Sequence, residues 1–207
     1  MNGGGVMGTN PHIALLHHNE VPAGLLDEFC IRVKVDNLKF ERVSQPDPGP
    51  QMGIEWLAFP AIAVLLLKSY FDSFMKEAGK DHYQLLKRAL IAFWGKLFSK
   101  DQRFRVAIVT SSGVKKLKYS VLFAIYAAID DGKMVKLLIP EEFSEEEYSA
   151  SIEAFLDFVE SYHSGKPRNE LALDLNPAKG IGNIILVAYD EESKSLLNVD
   201  IRPRSDV

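Results

Sequence analysis

Residues 53–74, GIEWLAFPAIAVLLLKSYFDSF, are the most apolar stretch of the chain, and any fold must give them a dry environment. Spanning the hydrocarbon of a bilayer takes roughly 20 predominantly apolar residues. The uninterrupted run here is Trp56–Leu67, twelve residues closed by Glu55 and Lys68. Lengthening it to a span draws Lys68 and Asp72 inside, where each central charge costs about 3 kcal/mol. Past Lys68 the pattern turns amphipathic, with Tyr70, Phe71, Phe74 and Met75 apolar among Ser69, Asp72, Ser73 and Lys76. The stretch therefore reads as a helix buried in a protein core. A helix lying on a membrane surface is the second reading, and a true span the third.

Two helices are expected here. Pro60 suits the first turn of the earlier one, where its missing N–H has no helical partner anyway, and Gly79 suits its end. Asp81 and Gln84 resemble a capping box opening the second. On that second helix Tyr83, Leu86, Leu90, Phe93, Trp94 and Leu97 recur at helical spacing. A helical hairpin follows from this reading.

Before the stretch, residues 1–11 are Gly-rich and read as a flexible leader. HIALL (12–16) suggests a short strand. FCIRVKV (29–35) alternates Phe29, Ile31, Val33 and Val35 with Cys30, Arg32 and Lys34, which predicts a half-buried strand, with LKFERV (38–43) as its returning partner. SQPDPGP (44–50) reads as a stiff linker. The expected organisation is thus a leader (1–11), an N-terminal hairpin segment (12–43), a Pro/Gly linker (44–53), a main domain (54–202) and a tail (203–207).

After the helices, FRVAIVTS and KYSVLFAIYAAI (118–129) read as strands, the second apolar on both faces and so central. Asp131-Gly132 predicts a tight turn into MVKLLI. Ser144 and Glu147 form a capping box, with Phe143 and Tyr148 in the positions of a hydrophobic staple. Tyr148, Ile152, Phe155, Leu156, Val159 and Tyr162 then make one helical stripe, stopped by Gly165. A short strand at ELALDL and a final hairpin from NIILVAY to LLNVDI complete the list of elements. The predicted class is α+β: a mainly antiparallel sheet with a two-helix hairpin and one further amphipathic helix packed on it.

Charge is unevenly placed. The 207 residues carry a formal −4, yet Lys76–Lys118 holds eleven Lys or Arg against three acids, a net of +8. Such a region attracts phosphates or anionic headgroups, or serves as a solvated face balanced by the acidic remainder. Lys87, Arg88, Lys96, Lys100, Arg103 and Arg105 are the candidate interaction surface. The aromatics among them fit a helix stripe and a strand face, so nucleic acid is not the expected partner.

No motif that looks like chemistry stands in the setting its mechanism needs. Gly3, Gly5 and Gly8 satisfy G-x-G-x-x-G, but no strand precedes them. HHNE (17–20) with His12 offers imidazoles and a carboxylate, yet adjacent histidines on a strand point to opposite faces. These read as surface histidines, and His82 and His163 as residues at helix ends. Ser112 and Lys115 match S-x-x-K only between strands, not at a helix start. Asp174, Asp190, Glu191 and Glu192 read as solvated turn carboxylates, and Lys179–Gly182 as a weak anion nest. The single cysteine, Cys30, excludes an internal disulfide and reads as a small buried group. No basic residue precedes Arg32, so a secretory signal is not expected and the chain reads as cytoplasmic.

The expectation is a non-enzymatic interaction protein that binds a protein partner or itself, with no cofactor and no metal. A peripheral membrane protein using 54–75 and the basic 76–118 region is one alternative. An enzyme whose site assembles only in three dimensions is another.

Overall fold

The computed structural model describes residues 11–46, 60–98, 108–110, 113–115, 118–130, 132–165, 173, 175 and 182–200. They build a seven-stranded mixed sheet with three helices packed on one of its faces. In chain order the elements are β1 (Ile13–His18), α1 (Ala23–Val33), β2 (Phe40–Gln45) and β3 (Ile62–Leu66). A π-helical turn at Tyr70–Phe74 then runs into α2 (Met75–Phe98). After α2 come β4 (Ile108–Thr110), β5 (Gly113–Lys115), β6 (Phe123–Asp130), β7 (Lys133–Leu137), α3 (Glu145–His163), β8 (Ile184–Asp190) and β9 (Ser195–Asn198).

The strand order is β2-β1-β3-β6-β7-β8-β9, with β4 and β5 forming a separate hairpin. Three neighbouring pairs are parallel: β1/β2, β3/β6 and β7/β8. Each of these pairs is joined in sequence through one helix, as parallel neighbours require a crossover. The remaining contacts, β1/β3, β6/β7 and β8/β9, are antiparallel. The class is therefore α/β, and the expected mainly antiparallel α+β sheet is corrected.

Three local readings explain that correction. FCIRVKV is not a strand: its first five residues, 29–33, are the second half of α1, whose buried positions are Leu26, Phe29 and Val33. Ile31, assigned to the inner face by alternation, is 75% exposed. LKFERV does form β2, but beside β1 and parallel to it, with Ile13 opposite Phe40 and His18 opposite Gln45. Third, Ile62–Leu66 is a strand and not the start of a helix. It lies between β1 and β6 and is buried on both faces, so a continuous apolar run suits it.

The helical hairpin is likewise replaced by one continuous helix, since α2 passes through Gly79 and Asp81 without a break. Its expected stripe is nonetheless buried in full: Tyr83, Leu86, Leu90, Phe93, Trp94 and Leu97. α2 is the middle helix. Phe93 stacks on Phe29 of α1 at 4.8 Å and meets Phe123 of β6 edge-on at 5.4 Å. Trp94 stacks on Tyr148 of α3 at 4.6 Å. α3 opens with the expected capping box, Ser144 and Glu147 each accepting the other's backbone N–H. Gly165 follows it with φ of +78°, a conformation that favours glycine.

Of the apolar run that opened the sequence analysis, residues 54–59 lie outside the described residues. Ile62–Leu66 supplies the third strand of the sheet, with Ile62, Val64 and Leu66 fully covered by the helix-side core. No helix among the described residues is long and apolar enough to cross a membrane. The glycines at 3, 5 and 8, Ser112, Asp174 and residues 179–181 also lie outside the described residues.

Candidate functional site

The helix-bearing face of the sheet takes the odd residues of β1, β6 and β8 and the even residues of β3. The opposite face takes the alternate set, because side chains alternate along every strand. Strand registers place Ala14, Leu65, Tyr126, Lys136 and Leu186 in one row across that second face. Leu16, Ala63 and Ala124 form the row on one side, and Ala128, Met134 and Ile184 the row on the other. Small side chains dominate the first of these flanking rows. They leave a cavity of about 180 Å³ whose apolar wall includes Leu16, Ala63, Leu65, Tyr126, Met134 and Ile184. Pro60, His17, His18 and Gln45 complete its lining.

Lys136 is the one charged residue of the central row and is only 1% exposed. Its Nζ lies 5.2 Å from the centroid of the Tyr126 ring, and that ring is also cavity wall. Among the described residues the buried side-chain nitrogen or oxygen without a hydrogen-bond partner is Trp94 Nε1, not this amine. Burial alone lowers the pKa of Lys136 from 10.5 to about 7. Burial also raises the Tyr126 hydroxyl well above its usual value. A lysine covered this fully is unusual, since long charged side chains seldom leave the surface.

Three of the histidines are buried and two are partly covered, which corrects the expectation of surface histidines. His12, His17 and His82 are buried. Arg42 donates from Nε to Nε2 of His17 at 3.1 Å, so the His17 proton sits on Nδ1 and goes to the His18 carbonyl at 2.9 Å. Arg42 in turn pairs with Asp27 of α1 at 2.8 Å. His82 lies within α2, not at a helix end. Its Nε2–H donates to the Val33 carbonyl at 2.9 Å, leaving Nδ1 to accept from the Tyr70 hydroxyl at 3.0 Å. Burial holds its pKa below the ordinary histidine value. His163 does end α3, where it stacks flat on Phe71 at 4.1 Å and donates to the Ala128 carbonyl. Among the described residues no group of three or more His, Cys, Asp or Glu could hold a metal.

Cys30 is half-buried on α1, and desolvation raises its thiol pKa. Asp190 accepts from the backbone N–H and hydroxyl of Ser193, so it organises the β8–β9 turn.

Of the expected basic surface, the described residues are Lys87, Arg88 and Lys96, all on α2. Lys87 pairs with Glu153 of α3. Lys96 reaches Glu28 of α1 at 3.0 Å and the Gly24 carbonyl at 3.2 Å. Arg88 donates back to the Gln84 carbonyl within α2. Lys100, Arg103 and Arg105 lie outside the described residues. The two lysines thus tie α2 to the helices on either side of it.

Sequence reasoning missed Lys136 and Tyr126 as a pair. The signal was a lysine at every-second-residue spacing between Met134 and Leu138, on a strand apolar at all its other inner positions. Comparison with protein families, curated proteins and solved structures returns no match for this chain.

Proposed function

We propose that this protein works by association, and that its partner is a second copy of the same chain docked along β2. The observation that carries the reading is the outer edge of β2, six residues long, against four for β9 at the other end of the sheet. The Lys39 carbonyl accepts from Ile13, and the Gln45 carbonyl accepts from Asn19. Alternation then points the N–H groups of Glu41 and Val43 at β1, and those of Phe40, Arg42 and Ser44 outward.

That parity restricts antiparallel self-pairing to a few registers. Centring on Arg42 or Glu41 sets like charges directly opposite each other, which is destabilising. Centring on Val43 sets valine against valine, Arg42 against Ser44, and Glu41 against Gln45. Two sheets would then join as one.

The helix layer supports the same geometry. Asp27 of α1 pairs with Arg42 of β2, so the flank of α1 carrying Asp27 overhangs this edge. One turn further along that flank is Ile31, a large apolar side chain 75% exposed. Strands lie about 4.8 Å apart, and a crossover helix sits over the gap between its two strands. Two dyad-related α1 helices would therefore lie about 10 Å apart, which is packing distance. Ile31 would be covered by its own copy. Lys87 and Lys96 have acidic partners within the molecule, so the proposal places the contact on β2 and α1 and not on α2. No catalytic step is attached to it.

Sedimentation velocity over a concentration series tests this, using the wild type, Ile31→Glu and Val43→Lys. The reading expects a reversible dimer that both substitutions dissociate, each by placing two like charges across the dyad. A wild type monomeric throughout, or a dimer untouched by both substitutions, would overturn it.

A further inference from the structure

We infer that His17 is an acid-sensitive latch on the β2 edge: the edge docks while this imidazole is neutral and is released once it is protonated. The inference rests on the association proposed above and adds its regulation.

The molecule supplies its own comparison. β1, α1 and β2 are repeated as β3, α2 and β6 about a local two-fold axis normal to the sheet. β1 and β3 are antiparallel neighbours, and each has its parallel partner on the outer side, reached through one helix. The axis passes through the Leu15–Val64 pair and carries residues 13–17 onto 62–66. Ile13, Ala14 and Leu16 then match Ile62, Ala63 and Leu65, and the strand registers match Phe40 to Phe123. Phe29 meets Phe40 at 6.4 Å as Phe93 meets Phe123 at 5.4 Å, so Phe29 matches Phe93. The buried Leu26 and Val33 of α1 fall on the buried Leu90 and Leu97 of α2.

Three matched positions differ in kind. Leu66, Ile125 and Ile91 of one copy are His17, Arg42 and Asp27 of the other. β6 is covered by β7, whereas β2 ends the sheet, so an edge position explains the polarity of Arg42 and Asp27. It does not explain His17, which is only 6% exposed. The same place accepts leucine in β3, so what distinguishes the imidazole is its bonds.

Those bonds fix its charge. Nδ1–H donates to the His18 carbonyl at 2.9 Å, and Nε2 accepts from Arg42 Nε at 3.1 Å. A guanidinium offers no acceptor and keeps its protons. A second proton on His17 must therefore enter against the Arg42 N–H, and it sets two cations in contact. Only the neutral imidazole fits, and protonation expels Arg42. Among the described residues the charged and titratable groups around His17 are Arg42 from β2, Asp27 and Cys30 of α1 beside Arg42, and His18 next in the chain. β3 presents Ile62, which is apolar.

Arg42 belongs to the docking edge. With two β2 strands centred on Val43, it stands opposite Ser44 of the second copy, and Ser44 is the register partner of His17 within each copy. Protonating both histidines adds two positive charges to a joint in which each Arg42 is otherwise balanced by Asp27. The separated copies, whose Arg42 is free to turn to solvent, take up these protons more readily than the dimer. By linkage the dissociation constant rises as pH falls through the ordinary histidine range near 6.5, by up to about a hundredfold per pH unit for two protons.

Sedimentation velocity at pH 7.5 and pH 5.5 is the test, run on the wild type, His17→Gln, His17→Leu and His18→Gln. Glutamine offers Arg42 an acceptor that does not titrate, and leucine is the residue of the matched place in β3. The expected result is a dimer that loosens at least tenfold at pH 5.5 in the wild type and in His18→Gln. In whichever of the two His17 variants folds, the dissociation constant should change less than about threefold. A wild-type dimer equally tight at both pH values overturns the latch and leaves the association standing. So does loosening of the same size in the His17 variants. A wild type that is monomeric at pH 7.5 removes the association and the latch together. Loss of the near-ultraviolet circular dichroism of the wild type at pH 5.5 also overturns the latch, since release would then be unfolding.

Discussion

Replacing Lys136 by methionine should stabilise the protein, and by an amount that depends on pH. The unfolded lysine titrates near 10.5 and the folded one near 7, so between those values the folded state binds fewer protons than the unfolded state. Stability consequently rises with pH across that window. Below pH 7 the amine is charged in both states and the full burial penalty applies. Above 10.5 it is neutral in both and the penalty vanishes.

Each tenfold change in a protonation constant corresponds to about 1.4 kcal/mol, so the penalty is roughly 5 kcal/mol at pH 6 and about 1 kcal/mol at pH 10. Methionine has similar bulk and leaves no cavity, so it removes the penalty with little repacking. Urea unfolding of both proteins, at pH 6 and at unit steps to pH 10, reads the difference directly. The variant should be more stable at pH 6, with its advantage shrinking by about 4 kcal/mol by pH 10. Comparing the two proteins at each pH cancels the buried tyrosines 70, 83 and 148, whose pKa values burial also raises. A variant less stable than wild type, or an advantage independent of pH, would refute the reasoning. Either result means that the amine has an acceptor or reaches water.

Three further outcomes are expected. Ser144→Ala removes one half of the α3 capping box and should lower stability by about 1 kcal/mol in the same unfolding assay. His82 is held neutral between Tyr70 and Val33, its folded pKa depressed below 6.5. Stability should therefore decline as pH falls below 6.5, and that decline should be smaller in His82→Gln when midpoints are compared at pH 7 and pH 5. A double-mutant cycle on Lys87 and Glu153 should return a coupling of at most about 1 kcal/mol, because the Glu153 side chain is 56% exposed.

The legible parts of the fold were those where one local pattern admits one structure. Ser144 with Glu147, followed by a helical stripe, specifies α3 without help from elsewhere. NIILVAY and LLNVDI form the antiparallel pair β8/β9 across a polar turn. Ambiguity entered where two periods share residues. In α1, Phe29 and Val33 satisfy both alternation and helical spacing, and only the burial of Leu26 and the exposure of Ile31 decide between them. Ile62–Leu66 carries no period at all, since a strand covered on both faces and a buried helix turn are equally apolar. Gly79 looks like a stop, but a glycine inside a helix costs only about 1 kcal/mol relative to alanine, and the packed length of α2 outweighs it.

Parallel pairing was illegible for a different reason. Nothing local in residues 40–45 states that their partner is the segment 13–18, because the register is set by α1 packing over both strands. The candidate site shares that property. Lys136 becomes unusual only once two strand pairings place Tyr126 and Leu186 on either side of it. Likewise, the pairing of Lys87 with Glu153 and of Lys96 with Glu28 is visible only once α1 and α3 are placed beside α2.

Residue-resolved amide hydrogen exchange along β2, at dilute and at high protein concentration, tests the association account most directly. Glu41 and Val43, bonded to β1, should be protected at both concentrations, whereas Arg42 and Ser44 should become protected only when the protein is concentrated. Fast exchange of Arg42 and Ser44 at every concentration, with their neighbours protected, would contradict it.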